Sequence, residues 1–125
     1  MTFVVDASAL IALVQNEAGA ERVASEIQDA VVSPVILAEC LSKLAARGYD
    51  PDTLRRNFLI AGLSVETVRP EDVGSVVSLH RLSKNNVSLA DRFCLALALD
   101  RGLPVLTADR PWATLGLPLK IDLIR

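Results

Sequence analysis

The sequence predicts a doubly wound α/β domain in three layers, helix over mostly parallel sheet over helix. Three observations predict it. Short apolar runs alternate with longer helical stretches along all 125 residues. Several of those runs lead directly into a helix-start signature. And 51% of the residues are hydrophobic while only 4% are aromatic, which calls for an aliphatic core of Val, Leu, Ile and Ala. Alternating strands and helices require right-handed crossovers, and crossovers cover a parallel sheet on both faces. No repeat, linker or shift of composition marks a boundary, so residues 1–125 form a single domain.

Thr2 to Val5 is β-branched and aromatic, a first strand. Residues 7–16 and 20–29 read as helices broken at Gly19. Val31-Val32 is a short strand candidate, and Ser33-Pro34 has the form of an N-cap followed by proline at the first helical position. That helix runs to about Arg47 and is closed by Gly48. Asp50-Pro51 opens another, which ends near Gly62. Ser64 to Val68 alternates as a strand does, and Pro70-Glu71-Asp72 starts a helix with acids in its first turn. Ser88 caps an apolar helix that ends at Gly102. Pro104 to Leu106 and Ile121 to Ile124 complete the strand candidates.

Net charge is −2 and the isoelectric point is about 5.3, which excludes broad electrostatic coating of nucleic acid. Cys40 and Cys94 have no metal-ligand spacing and read as buried free thiols. The opening TFVVD carries neither a basic nor an apolar leader region, and no apolar run approaches the roughly 18 residues of a membrane span. A cytoplasmic protein without membrane contact is expected. The mean hydropathy of +0.38 suggests apolar surface left for a partner or a second copy.

Four acids carry the functional reading. Asp6 and Asp109 each follow a strand and precede a helical start, where an N-cap role would suffice. Asp91 lies three residues after Ser88, as in a capping box. Glu39 precedes Lys43 by four residues, a favourable surface pair. Each therefore has an ordinary explanation, but their shared placement is more than that. Open α/β sheets put their ligand crevice beyond the carboxyl ends of the strands. Four carboxylates there raise one another's pKa values unless a cation intervenes. Oxygen ligands without His or Cys select a hard ion, Mg²⁺ or Mn²⁺. Such a site suits phosphodiester hydrolysis. Ser8 and Thr107, each two residues from a site acid, are placed as outer supports. Arg92 and Arg110, each next to a site acid, are candidates for phosphate contacts. His80 has no ligand-spaced partner and is expected to be a surface or half-buried helix residue.

The segments VVDASAL (4–10), SPVILAEC (33–40), SLADRFCLALA (88–98) and LPVLTADRPWATL (103–115), with the closing IDLIR, resemble the PIN-domain proteins. The likeness is closest to the VapC-type toxin ribonucleases of toxin–antitoxin pairs, and it extends over the whole chain. The resemblance implies a five-stranded sheet with the first strand central and the fourth beside it. It implies Mg²⁺- or Mn²⁺-dependent RNA cleavage by Asp6, Glu39, Asp91 and Asp109, a homodimer, and inhibition by a cognate antitoxin. Some relatives carry a further acid one turn along the Asp91 helix, where this chain has Cys94 and Leu95.

Two other readings compete. A haloacid-dehalogenase-type phosphatase would need a second acid two residues after Asp6, where Ser8 stands. A non-catalytic PIN-like module that only binds an antitoxin would have no use for a repulsive acidic cluster.

Overall fold

The computed structural model describes residues 1–125. Its five strands are β1 (Val4–Val5), β2 (Val31–Val32), β3 (Ser64–Val65), β4 (Val105–Thr107) and β5 (Ile121–Leu123). All pair in parallel, in the order β3-β2-β1-β4-β5. The helices are α1 (Ala7–Gln15), α2 (Ala20–Glu26), α3 (Pro34–Ala46), α4 (Pro51–Ile60), α5 (Asp72–Val77) and α6 (Leu89–Arg101), and they cover both faces of the sheet. Short 3₁₀ turns occupy His80–Asn85 and Arg110–Thr114. The three-layer α/β/α architecture and the central first strand are as the sequence predicts. No helix is long and apolar enough to cross a membrane.

From β1 the chain builds outward on one side through β2 and β3, then returns to build β4 and β5 on the other. The direction of winding therefore reverses between β1 and β4, and a ligand crevice belongs at their carboxyl ends. Val5 pairs with Leu106, so Asp6 and Thr107 leave the sheet side by side. The Asp6 N–H donates to the Leu106 carbonyl at 3.1 Å.

Local chemistry accounts for the helix ends. The Ser33 hydroxyl accepts from the Val35 N–H, ahead of Pro34. Ser88 and Asp91 form the predicted capping box: Ser88 Oγ accepts from the Asp91 N–H at 3.1 Å, and Asp91 Oδ2 accepts from the Ser88 N–H at 2.9 Å. At Gly19, φ is +94° and an added Cβ would lie 2.6 Å from the Ile124 carbonyl oxygen. Glycine is required there both by the left-handed backbone and by the close approach of the α1–α2 elbow to the end of β5.

Three elements are shorter than predicted, and the first is β1, which keeps only Val4 and Val5 of the Thr2 to Val5 run. Helix α2 stops at Glu26 rather than 29, because Asp29 is left-handed (φ 67°) and the Ala30 N–H turns back to the Ile27 carbonyl to enter β2. Only Ser64 and Val65 of the 64–68 run pair as strand, since β2 has just two residues before Ser33 turns into α3. His80 is exposed at the start of a 3₁₀ turn. Thirty-one buried residues form one continuous core, with Val4, Val5, Leu10, Ile36, Leu95 and Leu106 at its centre. Cys40 and Cys94 belong to it as free thiols, as expected. Burial pushes Cys40 up to about 12, with help from Asp6 and Glu39, and lifts Cys94 well above the usual thiol range.

Candidate active site

A cleft of about 470 Å³ opens at the carboxyl edge of the central strands, and Asp6, Glu39, Asp91 and Asp109 all line it. Three structural features bring them there. The β1–β4 register places Asp6 and Asp109, which follow the adjacent strand ends. The two-residue β2 ends at Ser33 and sends α3 across the cleft with Glu39 in its second turn. Packing of α6 against α3 and β1 sets Asp91, in the first turn of α6, opposite.

The predicted N-cap alternative for Asp6 and Asp109 does not hold, as neither carboxylate makes a capping hydrogen bond. Asp6, only 4% exposed, takes one donor from the first turn of its own α1 and one from the adjacent strand β4. Ser8 Oγ donates to Asp6 Oδ2 at 2.7 Å, and Thr107 Oγ1 donates to the same oxygen at 2.9 Å. Each hydroxyl also accepts a backbone N–H: Ala108 to Ser8 Oγ at 2.9 Å, and Asp109 to Thr107 Oγ1 at 3.0 Å. These N–H groups leave each hydroxyl proton to the carboxylate, so the 3.2 Å approach of the two hydroxyls is a by-product of their shared target.

The same pattern recurs in two other acids. Glu39 Oε1 lies 3.4 Å from Lys43 Nζ, while Glu39 Oε2 is buried without a hydrogen-bond partner. Asp91 Oδ2 is held by the capping box. In each case one oxygen is anchored and the other has no side-chain donor. A buried, unpartnered carboxylate oxygen costs solvation free energy and calls for an explanation outside the fold itself.

Electrostatics links the set. Burial raises Asp6 from 3.8 to about 6; the Ser8 and Thr107 donors hold it down, and the charge of Asp91 pushes it up again. Asp109 is raised by burial first and by Asp91 second. The Trp112 indole lies close enough to Asp109 to offset part of this, although its buried N–H reaches hydrogen-bonding geometry with no acceptor.

No three acidic, His or Cys side chains stand together as a ready-made cage for a metal. The four carboxylates line a shared cleft instead of meeting at one point, as mutual repulsion requires. Their donor set and the open oxygens nevertheless fit a hard divalent cation. Asp6, Glu39, Asp91 and Asp109 are the residues able to hold it.

Arg92 and Arg110 do not line the cleft. Arg92 Nε turns back to the Ser88 carbonyl at 3.4 Å, and Arg110 Nη1 donates to the Arg125 carbonyl at 2.8 Å. Being adjacent in sequence to an acid does not share its direction, because successive helical residues point about 100° apart. The cations that do line the cleft are Lys43, Arg47 and Arg125, and Glu17 joins the acids. The recurrence of Glu39, Lys43 and Arg47 at four-residue intervals was the available signal for the first two. Nothing local marked Arg125, whose Nη1 donates to the Ala18 carbonyl at 2.9 Å and pairs with Glu17.

Fold and site together define a three-layer α/β domain with an acidic cleft at the switch point of its sheet. A family model for the PIN domain matches residues 3–116, and the chain belongs to the PIN-domain family. A search of curated proteins finds no match. Among solved structures it is similar to a toxin–antitoxin complex from Klebsiella pneumoniae (18% identity, TM-score 0.71, covering 95% of this chain and 99% of that one). It is also similar to VapBC-1 from nontypeable Haemophilus influenzae (19%, 0.70, 99% and 98%). A third is VapBC2 from Rickettsia felis bound to a DNA fragment from their promoter (11%, 0.70, 98% and 98%). At these identities the likeness establishes the shared fold.

Proposed function

We propose that this protein is a divalent-metal-dependent endoribonuclease, the toxin of a toxin–antitoxin pair. One observation carries the reading: a buried Asp6, held by two hydroxyls on a single oxygen, lies at the switch point among three further acids. Such an arrangement costs stability, and only a bound cation makes use of it.

Asp6, Glu39, Asp91 and Asp109 would hold Mg²⁺ or Mn²⁺, which would supply Lewis-acid activation of water and charge balance at the phosphate in phosphodiester hydrolysis. The chain's own part is positional. Ser8 and Thr107 fix the orientation of Asp6, and their donation favours its ionised form. The capping box fixes Asp91. The Ser8 hydroxyl stands where a phosphatase of the haloacid type would need a carboxylic acid, and it is committed to Asp6.

Partners follow from the same reading. The neighbours include a toxin–antitoxin complex, and this chain exposes Ile60, Val73, Val77 and Leu89 by more than half, surface suited to an antitoxin segment and to a homodimer. An RNase assay of the purified protein with Mg²⁺, with Mn²⁺ and with excess EDTA tests the function. Divalent-dependent cleavage that EDTA stops and Asp6→Asn abolishes is expected; EDTA-resistant cleavage, or none against any RNA, rejects it.

A further inference from the structure

Glu39 and Lys43 on α3 and Arg47 at its C-cap recur every four residues, so they form one row along one side of the helix, about 6 Å apart per step. All three line the acidic cleft. Along this row the charge changes sign, from the half-buried Glu39 to two cations toward the end of the helix. Lys43, half exposed, is the sole side chain paired with Glu39. Arg47 Nη1 donates to Gln15 Oε1 at 2.6 Å, which anchors the guanidinium at one corner and leaves the rest of its fork open. Arg125, the remaining cation of the cleft, is already committed to Glu17 and the Ala18 carbonyl.

We propose that Lys43 and Arg47 form the subsite for the RNA backbone, and that Lys43 joins it only when a divalent cation takes its place beside Glu39. The proposal rests on the ribonuclease reading above. The two side chains suit different tasks. Arg47 has a planar, always-charged fork that binds phosphate through two hydrogen bonds. Lys43 has a compact charge on a flexible stem, and an exposed Lys–Glu pair is weak enough to exchange. A step of about 6 Å along the helix also suits successive phosphates of an extended single strand.

This exchange resolves a conflict in the cleft. A strand of phosphates is repelled by four carboxylates, so phosphate-binding groups should become available when the acids are neutralised. With Glu39 engaged by a cation, Lys43 loses its reason to stay with Oε1 and turns to the adjacent phosphate. The arrangement makes RNA binding on the α3 wall depend on metal.

The test measures binding of a labelled single-stranded oligoribonucleotide by anisotropy over a range of salt, once with EDTA and once with Ca²⁺, with the oligomer checked intact afterwards. Each phosphate contact contributes roughly 0.7 to the slope of log K against log salt. Arg47→Met is expected to reduce the slope by that amount in both conditions. Lys43→Met is expected to reduce it with Ca²⁺ only, and Lys84→Met, off the cleft in the 3₁₀ turn, in neither. Mn²⁺ titration without RNA supplies an independent readout: Lys43→Met is expected to tighten Mn²⁺ binding about two- to five-fold, the scale of releasing one exposed ion pair, and Lys84→Met to leave it unchanged. Equal slope losses for Lys43→Met in EDTA and Ca²⁺ overturn the exchange. Unchanged slopes in both variants, with wild type still binding or cleaving RNA, overturn the subsite. A wild type that neither binds nor cuts RNA overturns the ribonuclease reading itself, and the Mn²⁺ titration then still decides whether Lys43 competes for Glu39.

Discussion

Thr107 Oγ1 donates to Asp6 Oδ2 at 2.9 Å, a bond between residues 101 positions apart that exists because β1 and β4 are adjacent. Ser8 reaches the same oxygen from the other side. The pair turns a buried carboxylate into an oriented one, with Oδ1 left without a side-chain donor. Thr107→Val keeps the volume and removes both the donor to Asp6 and the acceptor for the Asp109 N–H. Loss of an outer support of this kind is expected to weaken Mn²⁺ affinity or RNA cleavage about 10- to 100-fold. Unfolding stability should fall by about 1–3 kcal/mol. A Thr107→Val protein with wild-type Mn²⁺ affinity by isothermal titration would show that the hydroxyl is not a support of the site.

Asp6→Asn is expected to reduce divalent-dependent RNA cleavage by at least about 100-fold, the scale on which one preorganised charged group acts at a reacting centre. The circular dichroism spectrum should not change, because Asn fills the same volume and still accepts from Ser8 and Thr107. Full activity in the purified variant would exclude Asp6 from the chemistry.

The raised pKa of Asp6 makes stability depend on pH in a definite direction. Its folded value is about 6 against an ordinary 3.8. Between these values the unfolded chain ionises first, so the folded state binds more protons and stability decreases as pH rises. The loss begins near pH 4 and is complete above the folded value, at roughly 3 kcal/mol. The raised Asp109 acts in the same sense. Urea unfolding between pH 4 and 8 should show wild type losing stability relative to Asp6→Asn, and saturating Mg²⁺ should restore much of that loss above pH 6. A difference between the two proteins that stays constant with pH would contradict the assignment.

Asp91 raises both Asp6 and Asp109, so removing its charge should relieve the metal-free protein. Metal at ten times its Kd stabilises wild type by roughly 1.4 kcal/mol, an increase in Tm of about 3–6 °C for a domain of this size. Metal-free Asp91→Asn should melt above metal-free wild type and gain much less from Mn²⁺. Its amide oxygen can still accept from the Ser88 N–H, and Ser88→Ala, which costs about 1 kcal/mol, isolates the cap. Scanning calorimetry showing equal Mn²⁺-induced shifts in wild type and Asp91→Asn would remove Asp91 from the metal-binding set.

What the sequence determined by itself is local. Ser33-Pro34, Ser88 with Asp91, and the glycines at 19, 48 and 102 mark helix ends within three or four residues, so the element order and most boundaries are legible without a third dimension. The alternation of strand and helix then implied a parallel sheet, and a parallel sheet implied a crevice where Asp6 and Asp109 stand. Tertiary structure decided what short-range rules cannot. Asp6 and Asp109 look like N-caps in isolation, yet strand pairing brings Thr107 to Asp6, where it joins the nearby Ser8 on one carboxylate oxygen. Arg92 and Arg110 look like cleft cations because they adjoin acids, yet the turn of the backbone points them elsewhere, and Lys43, Arg47 and Arg125 take the wall. The 64–68 run could form a longer strand, but its neighbour β2 ends after two residues and offers nothing further to pair with. In each case a cap is satisfied by atoms a few bonds away, whereas an anchored carboxylate, a cleft wall or a ladder partner depends on which strands and helices become neighbours.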